Sequence, residues 1–147
     1  MRTPTLSSET VHASAVAIGD RAVLIAGRSG KGKSDLALRL IDRGARLVSD
    51  DYTIVRRLDG RLVATAPPNI AGKIEVRGVG LLDFPNDEDV RVGLIVDLDR
   101  DAERLPEAGE TRTLAGIAIP VIALAALESS APIKVEAALR LFGLDPE

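Results

Sequence analysis

The sequence predicts an α/β fold: a mixed β-sheet with hairpins, one helix that follows a phosphate-binding loop, and a C-terminal helix. Three observations carry this. Arg21-Ala22-Val23-Leu24-Ile25-Ala26 is an apolar run of strand length, and Gly27-Arg28-Ser29-Gly30-Lys31-Gly32-Lys33-Ser34 follows it directly. Residues 34–43 then show helical periodicity, with Leu36, Ala37, Leu40 and Ile41 on one face. On either side, short β-capable runs are separated by Gly-Asp and Asp-Gly turns. With 147 residues the chain is of single-domain size, and one domain over residues 1–147 is expected. Its aromatic residues are only Tyr52, Phe84 and Phe142, so Leu, Val, Ile and Ala must build the core.

Residues 27–34 fit G-x-x-x-x-G-K-[ST] at every specified position. Gly27, Gly30 and Gly32 permit positive φ, which would turn successive N–H groups inward as an anion nest. In this pattern Lys33 reaches the β/γ-phosphates and the Ser34 hydroxyl sits on Mg²⁺. The strand–loop–helix order puts phosphate at a helix N-terminus, where free N–H groups favour negative charge.

Composition excludes several partners. The formal net charge of −3, with dispersed Arg and Lys, argues against nucleic-acid binding. Without cysteine there are no disulfides or thiolate metal sites. No apolar run approaches membrane-spanning length, and residues 1–5 lack the apolar core of a signal peptide. A cytoplasmic location is the expectation.

In chain order, residues 10–18 are β-capable, and Gly19-Asp20 turns them into the next strand as a hairpin. That places His12, the only histidine, beside the strand feeding the loop; a lone histidine there is more often structural than catalytic. Asp35 and Arg39 are spaced to pair on the exposed helix face. Gly44 suits the helix end, and residues 45–49 begin a second strand that closes a βαβ unit with a right-handed crossover. Parallel strands end at one edge, so Asp50-Asp51 and the loop should face one crevice. If the chain stays extended the two carboxylates point to opposite sides, so that one of them, not necessarily both, could face phosphate.

Residues 53–64 form a hairpin around Asp59-Gly60, with Arg56, Arg57 and Arg61 as edge charges. Pro67-Pro68-Asn69 breaks the sheet. In Gly72-Lys73-Ile74-Glu75-Val76-Arg77-Gly78-Val79-Gly80-Leu81-Leu82-Asp83, closely spaced glycines mark a bend or a close backbone approach. That stretch suits either a phosphate- or metal-adjacent loop or an edge strand with a polar face. Residues 91–98 read as a buried strand, 99–112 as a charged loop or short helix, and 113–126 as one or two short strands. Pro132 starts the final helix and Gly143 stops it.

With these pieces in view, the chain resembles the catalytic domain of HPr kinase/phosphorylase. The resemblance rests on His12, residues 27–34, Arg46-Leu47-Val48-Ser49-Asp50-Asp51 and residues 74–82; it runs from about Val11 to Arg104, with an echo in the last helix. It implies a P-loop kinase of the HPr kinase and phosphoenolpyruvate carboxykinase-like type, using ATP and Mg²⁺ to phosphorylate a serine of HPr, a small phosphocarrier of the phosphotransferase system. Reversal by inorganic phosphate, giving pyrophosphate, is also implied, as is assembly into a hexamer. Carried over, Asp51 becomes the base, Lys33 steadies the phosphates, Ser34 and Glu75 hold Mg²⁺, His12 lines the site, and Arg104 is the catalytic arginine of a mobile loop.

The chain departs from the family pattern in three places. It has no room for the family's additional N-terminal domain, the stretch after Leu82 is short, and Pro120-Val121-Ile122-Ala123-Leu124-Ala125 replaces a segment linked to dephosphorylation. The kinase direction is therefore the one expected. Competing readings are a P-loop kinase of a small metabolite and a nucleotide-binding regulatory module without turnover. Residues 75–82 count against the first; intact Lys33, Ser34, Asp51 and Glu75 count against the second.

Overall fold

A computed structural model describes residues 7–107 and 109–147; the signal-peptide reading of residues 1–5 lies outside them. The chain runs β1 (Ser8–Val11), β2 (Ala13–Ile18), β3 (Arg21–Ala26), α1 (Lys33–Asp42), β4 (Arg46–Ser49), β5 (Thr53–Leu58), β6 (Arg61–Thr65), β7 (Lys73–Val76), β8 (Gly80–Asp83), β9 (Val90–Asp97), β10 (Thr111–Leu114), β11 (Ile117–Ala123) and α2 (Ala131–Phe142). Nine strands form one mixed sheet in the order β1-β5-β6-β9-β3-β2-β4, with the β10–β11 hairpin joined through β11 to β9. The β7–β8 hairpin stands apart as a two-stranded sheet.

The central strands are apolar on both faces because both are covered. Val23 and Ile25 of β3 join Leu36 and Leu40 of α1 and Val135 and Leu139 of α2 in one core. Ala22 and Leu24, on alternate positions, face Val55, Leu62 and Ile119, so the sheet curls over its own back face. The first half of β9 pairs with β6 and the second half with β11, which is where the curl divides.

The predicted hairpins are present. β2 and β3 pair antiparallel around Gly19, and Asp59 and Gly60 both take positive φ, as a two-residue type I′ turn requires. α1 ends in a Schellman arrangement: Gly44 N–H donates to the Ile41 carbonyl, and Ala45 N–H to that of Leu40. The Asp35–Arg39 pair forms at 3.0 Å. Arg39 also donates to the Ala126 and Glu128 carbonyls, pinning the segment before α2 against the first turns of α1.

Other expectations are corrected. Residues 10–18 are not one strand, because the chain breaks at His12 and sends β1 to pair with β5 while β2 pairs with β3 and β4. β4 runs parallel to β3 but is not its neighbour; β2 lies between them. Arg56 and Arg57 are not on an edge, since β1 covers β5, and both are partnered: Arg56 with Asp89 at 3.0 Å, Arg57 with the Ala115 carbonyl at 3.2 Å. Arg112 belongs to strand β10 and not to the charged loop. Among the described residues no helix is long and apolar enough to cross a membrane.

Gly143 stops α2 for a reason other than left-handed geometry. Its φ is −68°, but a Cβ there would stand 2.5 Å from the Leu139 carbonyl oxygen and 2.8 Å from Leu139 Cδ1. Gly143→Ala is therefore expected to lower unfolding free energy by about 1–3 kcal/mol, as overpacking does. Gly44→Ala meets no atom within 4 Å and should cost only about 1 kcal/mol for its φ of 110°. Urea unfolding of the two variants checks the contrast.

Candidate phosphate-binding active site

The loop between β3 and α1 opens into a crevice of about 800 Å³, walled on its far side by the β7–β8 hairpin. Gly30 and Gly32 take the positive φ the nest requires, 85° and 95°. Gly27 does not; it is glycine for space, because a Cβ would lie 3.2 Å from Leu98 Cβ and 3.3 Å from Lys31 Cβ. Gly32 is the N-cap of α1 and offers no side chain to cap it. The N–H groups of the first helical turn are left to an anion.

Lys33 is almost wholly buried, and its Nζ donates to the Arg28 carbonyl at 3.2 Å. The ammonium is thus folded back over the loop, 3.6 Å from Asp51 Oδ1. Outside the loop, Arg28 N–H donates to Asp99 Oδ1 at 3.1 Å and the Arg28 guanidinium reaches the same oxygen at 3.4 Å. These contacts, the backbone one foremost, hold the Asp99 carboxyl below the usual carboxylate range.

Asp50 and Asp51 leave the end of β4 beside this loop, as the parallel orientation of β3 and β4 predicts. The extended chain that would send the two carboxylates to opposite sides is not what forms here. The chain does not stay extended: Asp51 has φ 66°, and Tyr52 N–H donates to the Asp50 carbonyl at 2.7 Å across it, the pattern of a tight γ-turn. Both side chains therefore converge on the P-loop. Asp50, only 6% exposed, accepts from Ser34 Oγ at 2.6 Å and Ser14 Oγ at 2.9 Å on one oxygen, and from Glu75 N–H at 3.2 Å on the other. Asp51 is half-exposed at the crevice mouth and meets His12 Nε2 at 2.9 Å. An ionised carboxylate only accepts, so the His12 proton facing it lies on Nε2. The His12 ring stacks on Tyr52, with centroids 4.9 Å apart and planes inclined by 18°, which fixes its orientation.

Residues 72–83 are β-paired and also reach the crevice. They pair as a hairpin whose Ile74 is buried, and its Glu75, Arg77 and Gly78 line the crevice. Gly78 and Gly80 take φ of 87° and 127° in its turn. Arg104 is not brought in: it lies exposed in the loop after β9, away from the crevice wall. Sequence reasoning missed Ser14, Tyr52 and Asp99 as neighbours of the site. Ser14 alone left a signal, a single hydroxyl in an otherwise apolar strand.

Among the described residues no three or more His, Asp or Glu side chains gather into a metal cluster. The donors present, Ser34, Asp50 and Glu75, are all oxygens, and a hard cation that keeps waters and phosphate oxygens in its shell suits such a sparse set.

Comparison with known proteins agrees with this geometry. A family model described as the HPr Serine kinase C-terminal domain matches residues 5–143. The HPr kinase/phosphorylase of Limosilactobacillus reuteri (strain DSM 20016) is 36% identical over 132 residues, covering 79% of this chain and 40% of that protein. That of Lacticaseibacillus casei (strain BL23) is 34% identical over 139 residues, covering 86% and 41%. The chain thus spans about two-fifths of the length of these relatives. A solved structure, the Hpr(Ser) kinase/phosphatase from Coxiella burnetii, superposes with a TM-score of 0.78 at 28% identity, over 90% of this chain and 88% of that one.

A Cβ at residue 32 would sit at φ 95°, 3.3 Å from Ala126 Cβ and 3.4 Å from Leu127 Cδ2. Gly32→Ala is therefore expected to weaken binding of a fluorescent ATP analogue about tenfold, the equivalent of roughly 1.4 kcal/mol of backbone strain. Titration of the two proteins side by side measures this.

Proposed function

Because the chain belongs to the HPr serine kinase C-terminal domain family, we propose that it uses ATP to phosphorylate a serine of HPr or an HPr-like phosphocarrier protein. The observation that carries this reading is Asp51. One oxygen of its carboxylate meets both His12 Nε2, at 2.9 Å, and Lys33 Nζ, at 3.6 Å, at the mouth of a phosphate-binding crevice. A base there is exposed enough to meet a protein-borne hydroxyl and close enough to the P-loop to act at the terminal phosphate.

In this reading the nest of residues 27–34 and the first turn of α1 hold the phosphates of ATP, and Lys33 swings from the Arg28 carbonyl onto them. The acceptor serine oxygen forms a bond to the γ-phosphorus as the bond from that phosphorus to the β–γ bridging oxygen breaks, releasing ADP. Asp51 takes the hydroxyl proton, and His12 orients the carboxylate that receives it. Phosphoryl transfer asks mainly for positioning and charge stabilisation, which these groups supply. Mg²⁺, held by Ser34 and Glu75, would neutralise charge on the phosphates when bound.

In reverse, Asp51 returns the proton to the serine oxygen as inorganic phosphate takes the phosphoryl group, giving pyrophosphate. Arg104 enters the reading only if its loop folds toward the crevice. The reading extends to one catalytic domain over residues 1–147, a cytoplasmic setting and self-association into a hexamer. The acceptor is a protein surface and not a nucleic acid or membrane, in keeping with the net charge of −3.

Incubation with labelled ATP, Mg²⁺ and purified HPr tests the proposal. Label should appear on an HPr serine, and Asp51→Ala and Lys33→Ala should each reduce the rate at least ~10²-fold, the scale of a lost general base or phosphate clamp. ATP binding without any label on HPr would sink it. Serine-phosphorylated HPr with added phosphate should release pyrophosphate if the reverse direction operates.

A further inference from the structure

Ser14 sits in β2, with no exposed surface, and its hydroxyl bridges the two acidic residues of the site. Its hydroxyl donates to Asp50 Oδ1 at 2.9 Å and accepts the Asp51 N–H at 3.0 Å. Register explains how it comes to be there. Along the β2–β4 ladder Ala17 faces Arg46 and Val16 faces Leu47, but Ala15 faces Ser49. The ladder slips by one residue at Val48, so the next position of β2, Ser14, comes level with Asp50. Unslipped pairing would set Ser14 against Ser49 and Ala13 against Asp50. Bulges of this kind re-aim side chains at strand ends and beside active sites.

The Asp51 N–H cannot join the ladder, because the chain has turned to φ 66°. A part-buried amide left without an acceptor costs up to about 1–3 kcal/mol, so the bond to Ser14 bears directly on whether this uncommon conformation holds. Turning Asp51 back to an extended conformation would carry its carboxylate away from Lys33 and His12. On the other side of the bridge, the Ser14 hydroxyl shares Asp50 Oδ1 with Ser34 and so fixes the oxygen against which the Ser34 hydroxyl is held.

We propose that Ser14 is a positioning residue of this site: its hydroxyl, bridging the Asp50 carboxylate and the Asp51 amide, holds Asp51 turned toward Lys33 and sets Asp50 to orient Ser34. It touches neither nucleotide nor acceptor and acts through the two aspartates. The proposal rests on the kinase reading above for its effect on turnover, but not for its effect on Mg²⁺-dependent nucleotide binding.

The test compares wild type with Ser14→Ala, Ser14→Cys and Ser14→Thr, the last keeping the hydroxyl, each checked for folding by thermal melting. In Ser14→Ala and Ser14→Cys, kcat for HPr phosphorylation should fall about 10–100-fold and the Mg²⁺ concentration for half-maximal binding of a fluorescent ATP analogue should rise about tenfold, as outer-shell losses do. KM for ATP at saturating Mg²⁺ should stay within about twofold, since the nest is untouched. Amide exchange at Asp51 in the ligand-free protein should quicken, and Ser14→Thr should restore most of each quantity. A folded Ser14→Ala or Ser14→Cys protein with wild-type kcat and Mg²⁺ midpoint would overturn the proposal, and so would an equal loss in Ser14→Thr. If wild type transfers nothing to HPr while the Mg²⁺ midpoint still shifts in Ser14→Ala, the kinase reading has failed and the positioning role stands.

Discussion

The site depends on one buried carboxylate. Asp50 is almost wholly withdrawn from water, and an unpaired charge so placed would be strongly unfavourable. It is tolerated because three donors reach it from three separate elements: Ser14 from β2, Ser34 from α1 and the Glu75 amide from β7. Hydrogen bonds to a charged group contribute about 1.5–3 kcal/mol each, so together they tie the elements around a common point. The sheet, the P-loop helix and the detached β7–β8 hairpin meet at Asp50. The Asp51 carboxylate, by contrast, is half-exposed and meets His12 and Lys33. Two identical side chains in sequence thus take opposite parts, one structural and dry, the other open to an incoming group.

Much of this was legible in the sequence because it is local. The run from Arg21 to Ser34 contains its own strand, turn geometry and helix start, and Asp59-Gly60 specifies its turn through φ alone. Gly44 likewise announces the end of α1. What was not legible depends on chain segments far apart. Nothing in residues 10–18 says that the chain breaks at His12, because both halves are equally fit for strand. Nothing in the β3–α1–β4 run says that an earlier strand lies between its two strands. The side on which Asp50 and Asp51 lie was hidden for a related reason: alternation of side chains assumes an extended chain, and Asp51 leaves that conformation where its N–H meets Ser14, thirty-seven residues away along the chain. Gly27 was recognised as special but for the wrong cause, since crowding and not positive φ demands it.

The crevice also carries an apolar rim. Val79 and Leu81 stand exposed on the β7–β8 hairpin, and Leu127 stands exposed opposite them beside Gly32. Leu127 is held there by Arg39, whose guanidinium binds the Ala126 and Glu128 carbonyls on either side of it. The floor of the site is thus polar, while its lips are apolar and borne on turns at Val79 and Leu127 and on β8 at Leu81.

The placing of β2 between β3 and β4 has a consequence for how this architecture can be divided. In a simple βαβ unit, the strand, the phosphate loop, the helix and the returning strand form a contiguous cassette that can be lengthened, joined to other modules or transplanted. Here the returning strand docks on a partner that precedes the cassette, and that partner delivers Ser14 to the acids and leads from His12. The phosphate-binding segment therefore has no complete active-site edge of its own. Inheritance or engineering of this chemistry must carry the upstream strand with the loop, which makes β2, the phosphate loop and the acidic strand end a single inseparable unit.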